Sequence, residues 1–587
     1  MNVSSKKLTG LPVSFDLLNA NKGFDENELI GATCLLINMP IREQARPNNA
    51  PLGLCLLASR LKKFKVQVDI LDLNSYRIID TIAEQKNLEN GRVLTESEAE
   101  IKIRGFTDRL EYDLVALSGL ITTLKWQKKV LKLLKKITPS SYKISGGGLA
   151  TEFREDLLYW MPDLDGIAHS EGDDVILKIA RDAKKIKKIQ NISAVEHADI
   201  IFPEKTKKLN GKTYAIYGGG RPKNLDALPF PDWDVLSKDP NNKDILENYI
   251  NTPIWGKDAK NSSATSFSME RSINTVSSRG CPFACKFCFR GAQGERNYGI
   301  RSPENLFCEM KHYVEKYGID FLGYVDDNFA VSRKRIFELE KLVSEWTVKN
   351  GLVWGTHARL DEAADIKGIF NGVPELNQPL RVQSMYNSGC RYIGFGAESA
   401  SPRMLKLMGK GGSMLKYGVT AVFGYDVPLT MTVGIKNTIE SGIHANCTWI
   451  MGYPGETLTD LKATVAFIKW QEEVLTASYD KNSKTRQLAS EAINKNMFVA
   501  TAYPGTEMFN DPSVKKALVD GFGIEYVNGK PKCDNNLERY VEQLNDATDL
   551  IWTDDGNLLQ YSQMPNSLFL EIREIVNGGD LFDILDL

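Results

Sequence analysis

The sequence predicts an α/β protein: a doubly wound parallel sheet first, then a partial (β/α) barrel, then a small and mainly helical C-terminal region. Three observations predict this. Short apolar runs alternate with segments of helical spacing over residues 31–190, and again over 273–510. A glycine-rich turn follows one strand of the first series, and polar residues gather where strands of the second series end. Residues 191–272 between them are rich in Lys and Pro and keep neither period.

In the first series, ATCLLINMP (32–40) is a short apolar strand running into a loop with Asn38 and Pro40. PLGLCLLASRLKK (51–63) starts with Pro, as helices often do, and carries apolar residues at helical spacing. VQVDILDLN (66–74) and YDLVALSGL (112–120) read as strands, the latter followed by the basic helix TLKWQKKVLKLLKKI. YKISGGGLAT (142–151) is a strand entering a turn through Gly146, Gly147 and Gly148, and LDGIAHSEGDDVILKIA (164–180) adds a strand and a helix. Ligands of such sheets bind at the carboxyl ends of the strands, which makes 38–51, 118–123 and 146–151 the loops of interest.

Residues 1–30 read as a leader and 191–272 as an extended crossover, since Pro229 and Pro231 prevent a regular helix. The second series opens with SINTVSSRG (272–280), a strand that delivers a cysteine loop. SPENLFCEMKHYVEKYG (302–318) has a Ser cap with Pro at the first helical position. Strands are expected at FLGYVDDNF (321–329), LVWGTHARLD (352–361), CRYIGFGAESAS (390–401), CTWIMGYPGET (447–457) and within MFVATAYPGTEMF (497–509). Asp326, Asp327 and Asn328 close one strand, Arg359 and Asp361 another, Glu398 and Ser399 a third. Carboxylates there can accept hydrogen bonds from a cation or hydroxyls, or simply cap helices and face solvent, and Arg359 suits a carboxylate held in a fork. The YPGET and YPGT turns are explained by backbone constraint, without a catalytic role for Glu456 or Tyr503. Residues 511–587 carry two helical stretches and no recognisable chemistry.

The most informative segment is RGCPFACKFCFR, with Cys281, Cys285 and Cys288 separated by three residues and then two. A short loop of this kind can aim three thiolates at one cubane iron–sulfur cluster. A [4Fe–4S] cluster normally takes four, and the next cysteine, Cys308, is far along the chain. One iron is then left open, and an open metal position usually serves chemistry. A zinc knuckle or a set of buried thiols is the alternative, though zinc sites more often show paired C-x-x-C units. Phe283, Phe287 and Phe289 fit a shielded cluster, and Arg279 and Arg290 flank it.

Formal charge is −2, which gives no bulk electrostatic argument for nucleic acid. No apolar run approaches the ~18 residues that cross a bilayer. Nine cysteines at irregular spacing in 587 residues are not a disulfide framework. The start lacks the apolar stretch of a secretory signal, and free thiols suit a reducing cytoplasm.

The cysteine spacing, with an aromatic residue before the last cysteine, resembles the signature of radical S-adenosylmethionine enzymes. That resemblance implies that the open iron chelates the amino and carboxylate groups of S-adenosylmethionine. One electron then splits the sulfonium C–S bond to give a 5′-deoxyadenosyl radical. V-D-D-N (Asp326, Asp327, Asn328) resembles the segment near the methionyl amine, and G-A-E-S (Glu398, Ser399) the one near carboxylate and ribose. Ser118-Gly119-Leu120 followed by Gly147-Gly148 resembles the S-x-L…GG half of the cobalamin-binding motif, with NNAPLGLCLLASRLK and SEGDD also similar to that class. The D-x-H-x-x-G half is missing, and the first histidine of the chain is His169, so a histidine from that loop is excluded as a cobalt ligand.

The resemblance therefore implies three cofactors: a [4Fe–4S] cluster, S-adenosylmethionine and cobalamin. The cobalamin would sit against Asn38, Pro40, Ser118, Gly119, Leu120, Gly146, Gly147 and Gly148. Most understood members of the class are methyltransferases that act on an unactivated carbon or phosphorus of a small molecule or peptide. They take their electron from an external donor of flavodoxin or ferredoxin type. The layout is also similar to the anaerobic magnesium-protoporphyrin monomethyl ester cyclases, which use the radical without methyl transfer. A non-catalytic cobalamin sensor sits badly with an intact cysteine triad, and methylthiolation of transfer RNA with the absence of further cluster cysteines and a basic tail.

Overall fold

A computed structural model describes residues 25–41, 49–188, 203–251, 269–289, 298–544 and 550–587. Most of the expected leader, Arg290 and part of the crossover lie outside these residues. The chain divides into two compact units, one built mainly from residues up to Leu246, the other from Glu247 to Leu587 together with the turn Ile121–Leu124.

The first unit is a seven-stranded sheet. Its strands are β1 (Thr33–Asn38), β2 (Gln67–Asp72), β3 (Leu114–Gly119), β4 (Tyr142–Gly147), β5 (Gly166–His169), β6 (Lys205–Leu209) and β7 (Lys212–Gly218), in the order β2-β1-β3-β4-β5-β7-β6. All neighbours are parallel except the β6–β7 hairpin. Because β1 lies inside the sheet, Cys34 to Ile37 are wholly buried, which is why the strand reads as an unbroken apolar run. Helices Leu52–Lys63, Leu124–Ile137 and Val175–Lys188 connect the strands. Strand order reverses between β1 and β3, and such a switch opens a crevice at the carboxyl ends of the strands.

The crossover reading of 191–272 needs correction, because residues 205–218 complete this sheet as β6 and β7. Asn210 and Gly211, both at positive φ, make the tight turn between them, which is the residue pair a two-residue hairpin favours. β6 is an exposed edge strand carrying Lys205, Lys207 and Lys208, and its sequence therefore looks like a solvated charge run.

The second unit holds six strands that pair in chain order: β8 (Ser272–Thr275), β9 (Phe321–Tyr324), β10 (Val353–Ala358), β11 (Cys390–Glu398), β12 (His444–Met451) and β13 (Phe498–Val499). Every pairing is parallel, giving the curled sheet of a partial barrel. The helix from Pro303 starts as the sequence indicates. Ser302 caps Pro303–Tyr317 through the Asn305 amide, and Thr457 with Asp460 forms a reciprocal cap on Leu458–Thr476. Hairpins at 366–376 and 419–428 extend two of the connections. The C-terminal region has helices Pro512–Phe522, Asn535–Gln543 and Asn566–Gly578 with two short hairpins.

Candidate active site

The cysteine loop leaves the second unit's sheet just after β8, and its entry is pinned. Ser277 N donates to Asp326 Oδ1 (2.6 Å) and Ser278 Oγ to Asp326 Oδ2 (2.7 Å), with the Ser277 hydroxyl on the same carboxylate. The Ser277 carbonyl accepts from Arg301 N and from Arg335 Nη1, both at 3.0 Å. Ser278–Arg279 then pairs with Gly299–Ile300. Within the loop, Lys286 N donates to Met408 O (2.9 Å), and Lys286 O accepts from Met508 N (2.8 Å). Gly409 sits at φ +71°, and a Cβ there would lie 2.9 Å from Ala284 O, so that position favours glycine.

Three free cysteines project from this loop. Arg359 Nη1 is 3.9 Å from Cys285 Sγ, and its guanidinium lies 4.0 Å from the Phe283 ring centroid. Its Nε bonds Asp361 Oδ1 (3.0 Å) and its Nη2 the Ser413 hydroxyl (3.2 Å), fixing the fork. Phe287 meets Tyr453 edge to face at 6.5 Å. Desolvation, then the charges of Cys285 and Asp327, pushes the Cys281 thiol up. Desolvation followed by Cys285, Asp327, Cys281 and Glu398 takes Cys288 to about 12. Arg359 counters this only in part at Cys281, and a bound metal would supply the further positive charge that keeps the thiols ionised. Among the described residues no three Cys, His, Asp or Glu groups converge on one ion. A cubane does not ask for that, because each of its thiolates binds a different iron. The donor set therefore fits the cluster.

The strand ends sort the expected site residues into two groups. Asp327, Arg359 and Glu398 act electrostatically on the cysteines. Asp326, Asn328 and Ser399 are buried and spent on the scaffold: Asp326 on Ser277 and Ser278, Asn328 Nδ2 on Glu362 Oε1 (3.1 Å), and Ser399 Oγ on Thr464 Oγ1 (3.1 Å). Glu398 stands at φ +67° beside a β-bulge and accepts from Lys410 Nζ at 3.1 Å. Lys410 and Glu362 escaped the sequence reading, although the glycine-flanked lysine of MGKGG was a signal for the first. Burial, then Asp361, lifts Glu362 to about 7, and its Oε2 has no hydrogen-bond partner among the described residues. His357 is lowered by burial against the opposing pull of Asp326, leaving a neutral imidazole at neutral pH. Glu456 serves its turn: Oε2 accepts from Gly452 N (2.6 Å), and burial lifts the carboxyl to about 8.

In the first unit, register places Asp72, Asn38, Ser118 and Gly146 side by side across β2, β1, β3 and β4 at their carboxyl ends. Asn38 Nδ2 donates to Asp72 Oδ1 (2.8 Å), and Ile41 N to Asn74 Oδ1 (3.0 Å), which fixes the chain on either side of Pro40. Gly147, at φ +83°, approaches Gly119 so closely that a Cβ would sit 2.7 Å from its carbonyl oxygen. The result is a floor of bare backbone, with Leu120 54 % exposed beside it and Gly148 starting the next helix. Such a floor fits a broad flat ring. The imidazole of His169, on β5, is engaged by Ser170 and Glu204, each at 3.1 Å.

Comparison with known proteins bears on the second unit's family and on the fold. Residues 275–468 match the family model of the radical SAM superfamily. An uncharacterised methyltransferase of Pyrococcus horikoshii is 24 % identical over 460 residues, 78 % of this chain and 77 % of that protein. The anaerobic magnesium-protoporphyrin IX monomethyl ester cyclase of Rubrivivax gelatinosus is 22 % identical over 318 residues, 54 % of this chain and 49 % of the cyclase. Among solved structures, the radical S-adenosylmethionine methyltransferase TsrM of Kitasatospora setae, with cobalamin and a [4Fe–4S] cluster bound, superposes with a TM-score of 0.56. It is 14 % identical and covers 94 % of this chain and 91 % of its own. Residues 275–468 are thus a radical SAM domain, carried by a chain with the fold of the cobalamin-dependent radical S-adenosylmethionine methyltransferases.

Proposed function

We propose that this chain is a cobalamin-dependent radical S-adenosylmethionine enzyme that methylates an unactivated carbon, or phosphorus, of a small metabolite or peptide. The observation that carries the reading is the cysteine loop: three thiolates beside Arg359, Asp327 and Glu398 at the carboxyl ends of a parallel half-barrel. The relatives support methyl transfer over other radical chemistry.

When bound, the cluster and S-adenosylmethionine supply an adenosyl radical and cobalamin a methyl carrier. The chain's own residues bind and orient. Cys281, Cys285 and Cys288 hold three irons, and Arg359, held by Asp361 and Ser413, offers hydrogen bonds toward Cys285 and a cofactor carboxylate. Asp327 and Glu398 receive the ammonium and ribose hydroxyls. Asp326, Asn328 and Ser399 act behind them by fixing the strand ends. Asn38, Pro40, Ser118, Gly119, Leu120 and Gly146 to Gly148 form the cobalamin cradle of a domain spanning 31–190 with β6 and β7 added. An external flavodoxin- or ferredoxin-type protein delivers the electron, and the cytoplasm is the compartment. No helix among the described residues is long and apolar enough to cross a membrane.

Anaerobically reconstituted protein, given reductant, cobalamin and methyl-labelled S-adenosylmethionine with candidate substrates, should release 5′-deoxyadenosine and S-adenosylhomocysteine together. Release of 5′-deoxyadenosine alone would favour the cyclase-type reading that the Rubrivivax relative supports. Release of neither would remove both readings.

A further inference from the structure

The Met408–Lys410 segment touches two parts of the site at once. Its first residue takes a backbone bond from the cysteine loop, Lys286 N to Met408 O at 2.9 Å. Its second, Gly409, lies close beneath the same loop, where a Cβ would come within 2.9 Å of Ala284 O. Its third, Lys410, reaches Glu398, Nζ to Oε1 at 3.1 Å, with the two side chains only 5 % and 12 % exposed. The backbone of Lys410 is itself fixed, its N–H donating to Leu405 O at 2.8 Å.

The strand gives way to this pair. A Cβ on Gly396 would stand 2.6 Å from Glu398 Oε1 and 3.2 Å from Lys410 Nζ, so a larger residue would displace the Glu398 carboxylate from its present place. Glu398 holds a left-handed backbone conformation that a non-glycine residue adopts only when its surroundings impose it. A buried ion pair is weak evidence for stability, because desolvation cancels much of the attraction, and a positioning role explains it better.

We propose that Lys410 is the positioning residue for Glu398, and that Met408–Lys410 is a buckle coupling the placement of the cysteine loop to that of the Glu398 carboxylate. Loading one side then favours the other, since coupling between sites is reciprocal. This rests on the reading above of 281–288 as the cluster loop and of Glu398 as a cofactor ligand.

Reconstituted Lys410→Met should retain the iron and the absorption band of the wild type. It should need about tenfold more S-adenosylmethionine to perturb the electron paramagnetic resonance signal of the reduced cluster. Lys410→Arg, which keeps a cation, should restore most of that affinity. Glu398→Gln should show a similar loss, and Glu398→Gln/Lys410→Met no further one, because the lysine acts through the glutamate. Unchanged affinity in Lys410→Met, or losses that simply add in the double variant, would overturn the proposal. So would loss of iron in Lys410→Met and Lys410→Arg alike, which would make the lysine a residue of the fold alone. A wild-type signal that S-adenosylmethionine leaves unchanged would instead sink the underlying reading.

Discussion

Neighbouring residues at the end of β9 do different work. Asp326 turns to Ser277 and Ser278, whereas Asp327 bears on the cysteines. Sequence cannot tell such neighbours apart, because the chain leaves the strand there and the strict two-residue alternation lapses. The cysteine triad stood out in the sequence because its three thiols lie within one short loop. Lys410 did not, because its partner is twelve positions away and buried lysines are rare. Replacing Cys281, Cys285 or Cys288 singly with alanine should abolish most of the iron bound after reconstitution, read by iron analysis and absorption. A zinc-loaded wild type would contradict this. Glu456 allows a pH test. Its carboxyl is raised to about 8 from an ordinary 4.5, so between those values the folded chain binds more protons than the unfolded one. Folding stability therefore falls as pH rises through that window. Glu456→Gln keeps an oxygen for Gly452 N and should flatten the fall, by a few kcal/mol at most (roughly 1.4 per pKa unit). Parallel melting-temperature profiles for the two proteins from acid to alkaline pH would refute it.

At the level of elements, the alternation of strand and helix was readable wherever a strand lies inside a sheet and is apolar on both faces, as β1 is. It failed at β6 and β7, where edge lysines obscured the pattern and only Asn210-Gly211 marked the hairpin. It also missed the 366–376 and 419–428 hairpins, which extend connections and carry no long apolar run. Two elements invite substitution. Asp326→Ala leaves the buried Ser277 N–H without its acceptor, which should cost about 1–3 kcal/mol in urea unfolding and lower iron retention. Wild-type stability and iron content together would refute the pinning role. Gly147→Ala puts a methyl group 2.7 Å from Gly119 O in a backbone region that alanine avoids. Hydroxocobalamin affinity should fall by at least about tenfold, ~1.4 kcal/mol, measured by equilibrium binding. An unaltered affinity would place the ring elsewhere.

For the molecule as a whole, two compact units with separate sheets imply more than one cooperative transition. Calorimetry of the reconstituted protein should give a van't Hoff enthalpy below the calorimetric one, and hydroxocobalamin should raise the transition of the unit that binds it. A single two-state transition that ignores the ligand would contradict this. The backbone at Glu398 carries a consequence for engineering. A left-handed non-glycine residue costs roughly 1–2 kcal/mol, so a stability screen blind to turnover would favour glycine there. The hardiest variants from such a screen should include those that have discarded the side chain to which we assign a cofactor contact.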